Sequence, residues 1–241
     1  MTKPDAMTKP DAVTKPGGMA KLEKGQTSFL YRNGLSLALL ALLVACLVGQ
    51  MLAGQRVANE NLAEHGAATL SFGAYLASGD FISATFENWE SEFLQMGMYV
   101  LMTAWLRQRG SAESRPLDGD DLSPAPVPDA AKPWPVRRGG WWLKVYENSL
   151  SLAFFVLFAV SFGLHLLGSW SKHGEEQRLH GQVAESLLDY VTNANFWFES
   201  FQNWQSEFLA VLSLVLLTIF LRQKDSPQSK PVEAPYGQTG G

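Results

Sequence analysis

Apolar residues fall along this chain in long blocks, not in the alternating pattern of a half-buried strand or the one-sided stripe of a soluble helix. Gly34 to Gly54 carries no charge across about 21 residues, enough to cross a ~30 Å hydrocarbon layer as a helix. Ser149 to Trp170 repeats the pattern with His165 as its only ionisable group. Two shorter runs, Phe93 to Leu106 and Phe208 to Leu221, stop at Arg107 and Arg222. At about 14 residues each they suit either a short span or a buried soluble helix.

An offset of 115 positions resolves that choice, because residues 31–111 then lie on 146–226 without a gap. Tyr31, Asn33 and Leu35 fall on Tyr146, Asn148 and Leu150, and His65-Gly66 falls on His180-Gly181. Phe86-x-Asn88-Trp89-x-Ser91-Glu92-Phe93-Leu94 falls on Phe201-x-Asn203-Trp204-x-Ser206-Glu207-Phe208-Leu209. The pattern predicts an all-α polytopic membrane protein with four spans, arranged as two tandem helical hairpins inserted in parallel. Repeat 1 covers 28–109 with spans near 34–54 and 88–107. Repeat 2 covers 141–224 with spans near 148–170 and 203–222. Two spans per copy is an even number, so both copies cross in the same sense.

Between and around the repeats the sequence changes character. Residues 1–27, built on a repeated MTKPDA, the Pro- and Gly-rich linker 110–140, and the tail 225–241 have no apolar face, and disorder is expected there. Residues 71–76 and 186–191 read as short amphipathic helices in the outer loops, lying on the membrane surface or covering the bundle.

Basic residues then set the orientation. The segments 1–33, 107–147 and 222–241 hold 16 of the 19 Lys+Arg, and the loops 54–93 and 169–207 hold only Arg56, Lys172 and Arg178. The positive-inside rule places both termini and the linker in the cytoplasm, with a bacterial inner membrane as the expected location. A net charge of −4 is the wrong sign for a nucleic-acid footprint, and the single cysteine, Cys46, excludes an intrachain disulfide framework. P-loop, G-x-S-x-G, G-x-G-x-x-G, H-E-x-x-H and C-x-x-C patterns do not occur, so no enzyme and no cofactor is expected.

Candidate chemistry centres on the repeated motif that leads into the second and fourth spans. At helical spacing Asn88, Glu92 and Thr103 share one face, as do Asn203, Glu207 and Thr218. Carboxylates at the edge of a membrane core form either a proton or cation site, or caps and interhelical bonds. Glu60, His65, Glu175 and His180, with His173 nearby, form a metal set only if the two loops meet; otherwise each is a solvated turn ended by glycine. His165 has no histidine counterpart, its partner at the same offset being Gln50, and an interhelical hydrogen bond accounts for it better than a haem ligand.

The R-N-G-L-S-L start, the E-H-G turn, S-F-G-x-Y-L and F-E-N-W-E-S-E-F-L-Q-M resemble an uncharacterised, domain-of-unknown-function family of bacterial membrane proteins with two copies of a two-span unit. The resemblance covers residues 28–115 and 140–226. It implies a bacterial inner-membrane location and no catalytic residues. The expected function is non-enzymatic: an accessory or structural partner in the envelope, in contact with lipid and with a membrane-protein partner or a second copy of itself. The alternative is a small ion or proton transporter using Glu92 and Glu207.

Overall fold

The computed structural model describes residues 29–117 and 127–240. The N-terminal segment 1–27 and the middle of the linker lie outside the described residues. Helix accounts for 71% of what is described, with no strand among those residues. In chain order the helices are α1 (Phe29–Arg32), α2 (Gly34–Glu64), α3 (Phe72–Leu76), α4 (Gly79–Trp105), α5 (Trp134–Arg138), α6 (Gly140–Glu147), α7 (Ser149–Leu179), α8 (Leu187–Tyr190) and α9 (Ala194–Phe220), with a 3₁₀ turn at Asp129–Ala131. The chain divides within α2 into two compact units, residues 1–53 and 54–241. The first holds α1 and the uncharged stretch of α2; the contacts described below lie within the second.

Three of these helices, α2, α7 and α9, are long and apolar enough to cross a membrane. Helix α4 matches α9 in length at 27 residues but carries Asp80, Glu87, Glu90 and Glu92, and does not join that set. Serine and asparagine oxygens start the helices: Ser78 accepts from Phe81 N–H, and Asn193 accepts from Asn195 N–H.

Helix α4 packs most extensively on α7, and α9 packs against α4. The approach of α4 to α7 is close because two glycines face across it. A Cβ on Gly168 would stand 2.5 Å from the Ser83 backbone nitrogen, and one on Gly79 would stand 2.7 Å from the Gly168 carbonyl oxygen. Only glycine permits backbones to meet this way, a packing mode typical of membrane helices. The interior is polar: Ser83, Ser91, Ser161, Ser169 and Ser200 are buried, while Val156 and Val160 on α7 are 62% and 55% exposed. That inversion of the soluble pattern fits helices solvated by lipid.

The two loop helices turn a tyrosine inward. Ser71 and Ser186 cap α3 and α8, and Tyr75 and Tyr190 are both buried. Tyr75 sits against Gly54, where any side chain would collide with its hydroxyl, and stacks edge-on against Phe81. At the opposite ends of α4 and α9 the linker and tail make specific turns. Gln108 N–H donates to Ser114 Oγ at 2.9 Å, and Gln223 N–H donates to Ser229 Oγ at 2.9 Å. Composition predicts disorder for these stretches, but side-chain and backbone groups there find partners: Ser111 Oγ meets Thr218 Oγ1 at 3.0 Å, and Gly110 N–H donates to Thr239. Lys230 is buried, its ammonium donating to the carbonyls of Pro235, Tyr236 and Gln238.

Candidate functional site in the helix interior

The densest set of buried ionisable groups lies where α4, α7 and α9 meet. Helix α4 supplies Glu87 and Glu90 one turn apart; α7 supplies His165 and, one turn on, Ser169; α9 supplies Glu199, Asn203 and Trp204. Glu87 and Glu90, His165 and Ser169, and Glu199 and Asn203 fall at i, i+3 or i, i+4 spacing, so each pair rises from a single face of its helix, and Trp204 follows Asn203 directly.

Glu90 and His165 anchor the set, and both side chains are fully buried. His165 Nδ1 lies 3.0 Å from Glu90 Oε2, and Trp204 Nε1 donates to Glu90 Oε1 at 3.1 Å. Trp204 is a donor only, so Glu90 Oε1 accepts from it, and Glu90 Oε2 faces His165 Nδ1. His165 Nε2 is buried without a hydrogen-bond partner. The nearest carboxylate oxygen is Glu199 Oε2 at 3.6 Å, beyond hydrogen-bond reach.

The other two carboxylates are held by neighbours within the same set. Ser169 Oγ donates to Glu199 Oε2 at 3.0 Å and meets the Tyr190 hydroxyl at 2.6 Å. Asn203 Nδ2 donates to Glu87 Oε1. Burial pushes the Tyr190 hydroxyl above its ordinary range; the Ser169 contact opposes this and the nearby Glu199 carboxylate adds to it. Tyr190 therefore stays protonated, a permanent donor or acceptor at the edge of the cluster. Phe196 packs against the histidine at 5.1 Å between ring centroids, and Phe162 packs edge-on against Phe196.

The residues singled out from the repeated motif are dispersed. Asn203 belongs to the cluster through Glu87. Asn88 is exposed and donates to its own helix at Ala84 O. Glu92 is exposed and Glu207 half-buried, close enough to feel one another's charge, and Gln95 Nε2 donates to the Glu207 backbone carbonyl at 2.8 Å. Thr103 turns its hydroxyl back to Tyr99 O, and Thr218 pairs with Ser111.

The loop histidines do meet. The rings of His65 and His180 stand 5.6 Å apart, edge to face, each with Nδ1 on a carbonyl of its own helix, Asn61 O at 2.9 Å and Glu176 O at 2.8 Å. Glu175 lines a neighbouring cleft of about 470 Å³ with Asp80 and Lys172. Among the described residues a triad of metal-capable donors forms at Glu87, His165 and Glu199, and not at Glu60, His65, Glu175 and His180.

With the geometry in hand, likeness to other proteins can be stated. The model of a domain of unknown function, DUF6766, matches residues 26–241. The chain belongs to the DUF6766 family. The match runs through the linker and the tail, which the resemblance read from the sequence left outside. No curated protein and no solved structure matches the chain.

Glu87, Glu90 and Glu199 do not stand out in the sequence, for an identifiable reason. At the 115-residue offset they correspond to Gln202, Gln205 and Ala84, so a search for features shared by both halves discards them. The available signal was different. Glu87 and Glu90 stand one turn apart with no basic residue on the same helical face, and His165 is alone in an apolar run; each needs a partner from another helix.

Proposed function

We propose that this DUF6766 protein is a four-span protein of a bacterial inner membrane, both hairpins inserted the same way up and both termini in the cytoplasm. Its role is non-catalytic: an accessory or structural subunit that presents apolar helix faces to lipid and to a membrane partner. One observation carries the topology. The loops that follow α2 and α7 touch through His65 and His180, while the segments that follow α4 and α9 touch through Gly110 and Thr239. Contacts at two opposite ends, each between segments that follow matching helices at the 115-residue offset, suit hairpins that share one direction. Helix α4 serves as the second span, joining α2, α7 and α9, because Glu90 is bonded to His165 and Trp204 and Glu87 to Asn203, which offsets the penalty of taking them into lipid.

The accessory role is supported by how the interior polar groups are used, bonded to one another across three helices so that they fix register. Affinity purification of the full chain in mild detergent, with mass spectrometry of what co-elutes, tests this role. A stoichiometric membrane-protein partner is expected. A chain that purifies alone and carries a proton or cation flux in liposomes, lost in Glu92→Gln and Glu207→Gln, replaces this reading with the transporter.

A further inference from the structure

We propose that Glu87, His165 and Glu199 form a binding site for a divalent first-row transition-metal ion, with Glu90 as the residue that orients the histidine. Nothing about the topology or the accessory role is needed for this inference; it stands on the donor geometry alone.

Four observations converge. His165 Nε2 is fully buried, lacks a hydrogen-bond partner and points among carboxylates. One ligand atom from each of Glu87, His165 and Glu199 lies within 4.8 Å of the others. The 3.6 Å between His165 Nε2 and Glu199 Oε2 is too long for a hydrogen bond. It is close to the ~3.4 Å that separates two ligand atoms bound at ~2.0–2.2 Å to one tetrahedral ion. Finally, every ligand has an outer support. Glu90 meets His165 Nδ1, Ser169 holds Glu199, and Asn203 holds Glu87. A carboxylate that fixes the tautomer of a ligating histidine is the usual outer shell of such centres.

The donor set selects the ion. One imidazole and two carboxylates suit Zn²⁺, Mn²⁺ or Fe²⁺ better than Cu⁺, which prefers sulfur, or Ca²⁺, which prefers oxygen alone. Three protein ligands leave a coordination position open, as in sites that also hold water or a small ligand. Two carboxylates balance the two positive charges, and Glu199, whose side chain is 34% exposed, gives the ion a way in.

The test uses the full chain, purified in mild detergent, stripped with a chelator and dialysed against Zn²⁺ or Co²⁺, with metal per chain measured by elemental analysis. One ion per chain is expected, together with visible Co²⁺ absorption bands of a low-coordinate N,O site. Glu199→Gln and His165→Gln should abolish stoichiometric binding. Glu90→Gln should weaken it by about 10- to 100-fold, the usual cost of losing an outer-shell partner. Glu92→Gln, Glu207→Gln and the double substitution of His65 and His180 by alanine should leave it unchanged. Circular dichroism reports whether each variant remains helical. If His165→Gln does not fold, the half-exposed Glu199 and Glu87 carry the test through their glutamine variants. A folded wild-type chain that takes up no ion overturns the proposal and leaves the cluster an ion-paired strut. Loss of metal on removing His65 and His180, with full binding in Glu199→Gln, overturns it as well.

Discussion

His165 and Glu90 face each other across the α4–α7 interface, Nδ1 to Oε2 at 3.0 Å, with neither side chain exposed. Removing one partner strands the other. Glu90→Ala leaves a buried imidazole and the Trp204 N–H without an acceptor, and His165→Ala leaves a buried carboxylate. Each single variant should cost about 3–5 kcal/mol, and replacing both by leucine should recover much of that loss. Denaturant titration in mixed micelles, followed by circular dichroism, measures all three. A double variant no more stable than either single one would show that the pair is not the source of the loss.

The glycine pair makes a prediction of opposite sign for two neighbouring positions. Gly168→Ala drives a methyl to 2.5 Å from the Ser83 nitrogen, a backbone atom that cannot rotate away. Overpacking of this kind costs about 1–3 kcal/mol. Gly163 lies on the same helix with nothing within 4 Å of its would-be Cβ. Gly163→Ala should be neutral or stabilising by up to ~1 kcal/mol, through helix propensity. The same unfolding assay ranks the two, and equal effects would contradict the close crossing.

Ser169, Tyr190 and Glu199 form a chain of bonds that ties the short helix α8 to the bundle. Ser169→Ala and Tyr190→Phe should each cost about 0.5–1.5 kcal/mol. Because both remove the same 2.6 Å contact, the double variant should cost less than the sum. Additive effects in a double-mutant cycle would mean that the two hydroxyls act separately.

Tyrosine ionisation gives a pH signature. Burial raises both Tyr75 and Tyr190 above the ordinary value of 10.0, with the charge of Asp80 adding to it at Tyr75. The native state then holds these protons longer than the unfolded chain. The stability they contribute is full below pH ~10 and falls as pH rises beyond it. Spectrophotometric titration of the 6 tyrosines should show a late-ionising fraction that shrinks in Tyr75→Phe and Tyr190→Phe. Unchanged late titration in both would place these hydroxyls in water.

How far the sequence carried can be judged at particular residues. The helices were legible because uncharged length is a property of the chain itself, as at Gly34–Gly54. The interior cluster was not, because its logic is tertiary. Glu87 and Glu90 look like two more charges on a polar helix until α7 brings His165 and α9 brings Trp204 and Asn203 against them. The 115-residue offset favours Glu92 and Glu207, which match across it, over Glu87, Glu90 and Glu199, which do not. Thr103 and Asn88 share a helical face with Glu92 and still bond only to their own helix.

The most direct test of the central claim, two hairpins inserted the same way up, is cysteine-accessibility mapping on intact cells. In a Cys46→Ser background, single cysteines at 65, 180, 112 and 228 are challenged with a reagent that cannot cross the membrane. Positions 65 and 180 should react from outside, and 112 and 228 only after the cells are opened. Labelling of 65 and 180 from opposite sides, or of 228 in intact cells, would contradict it.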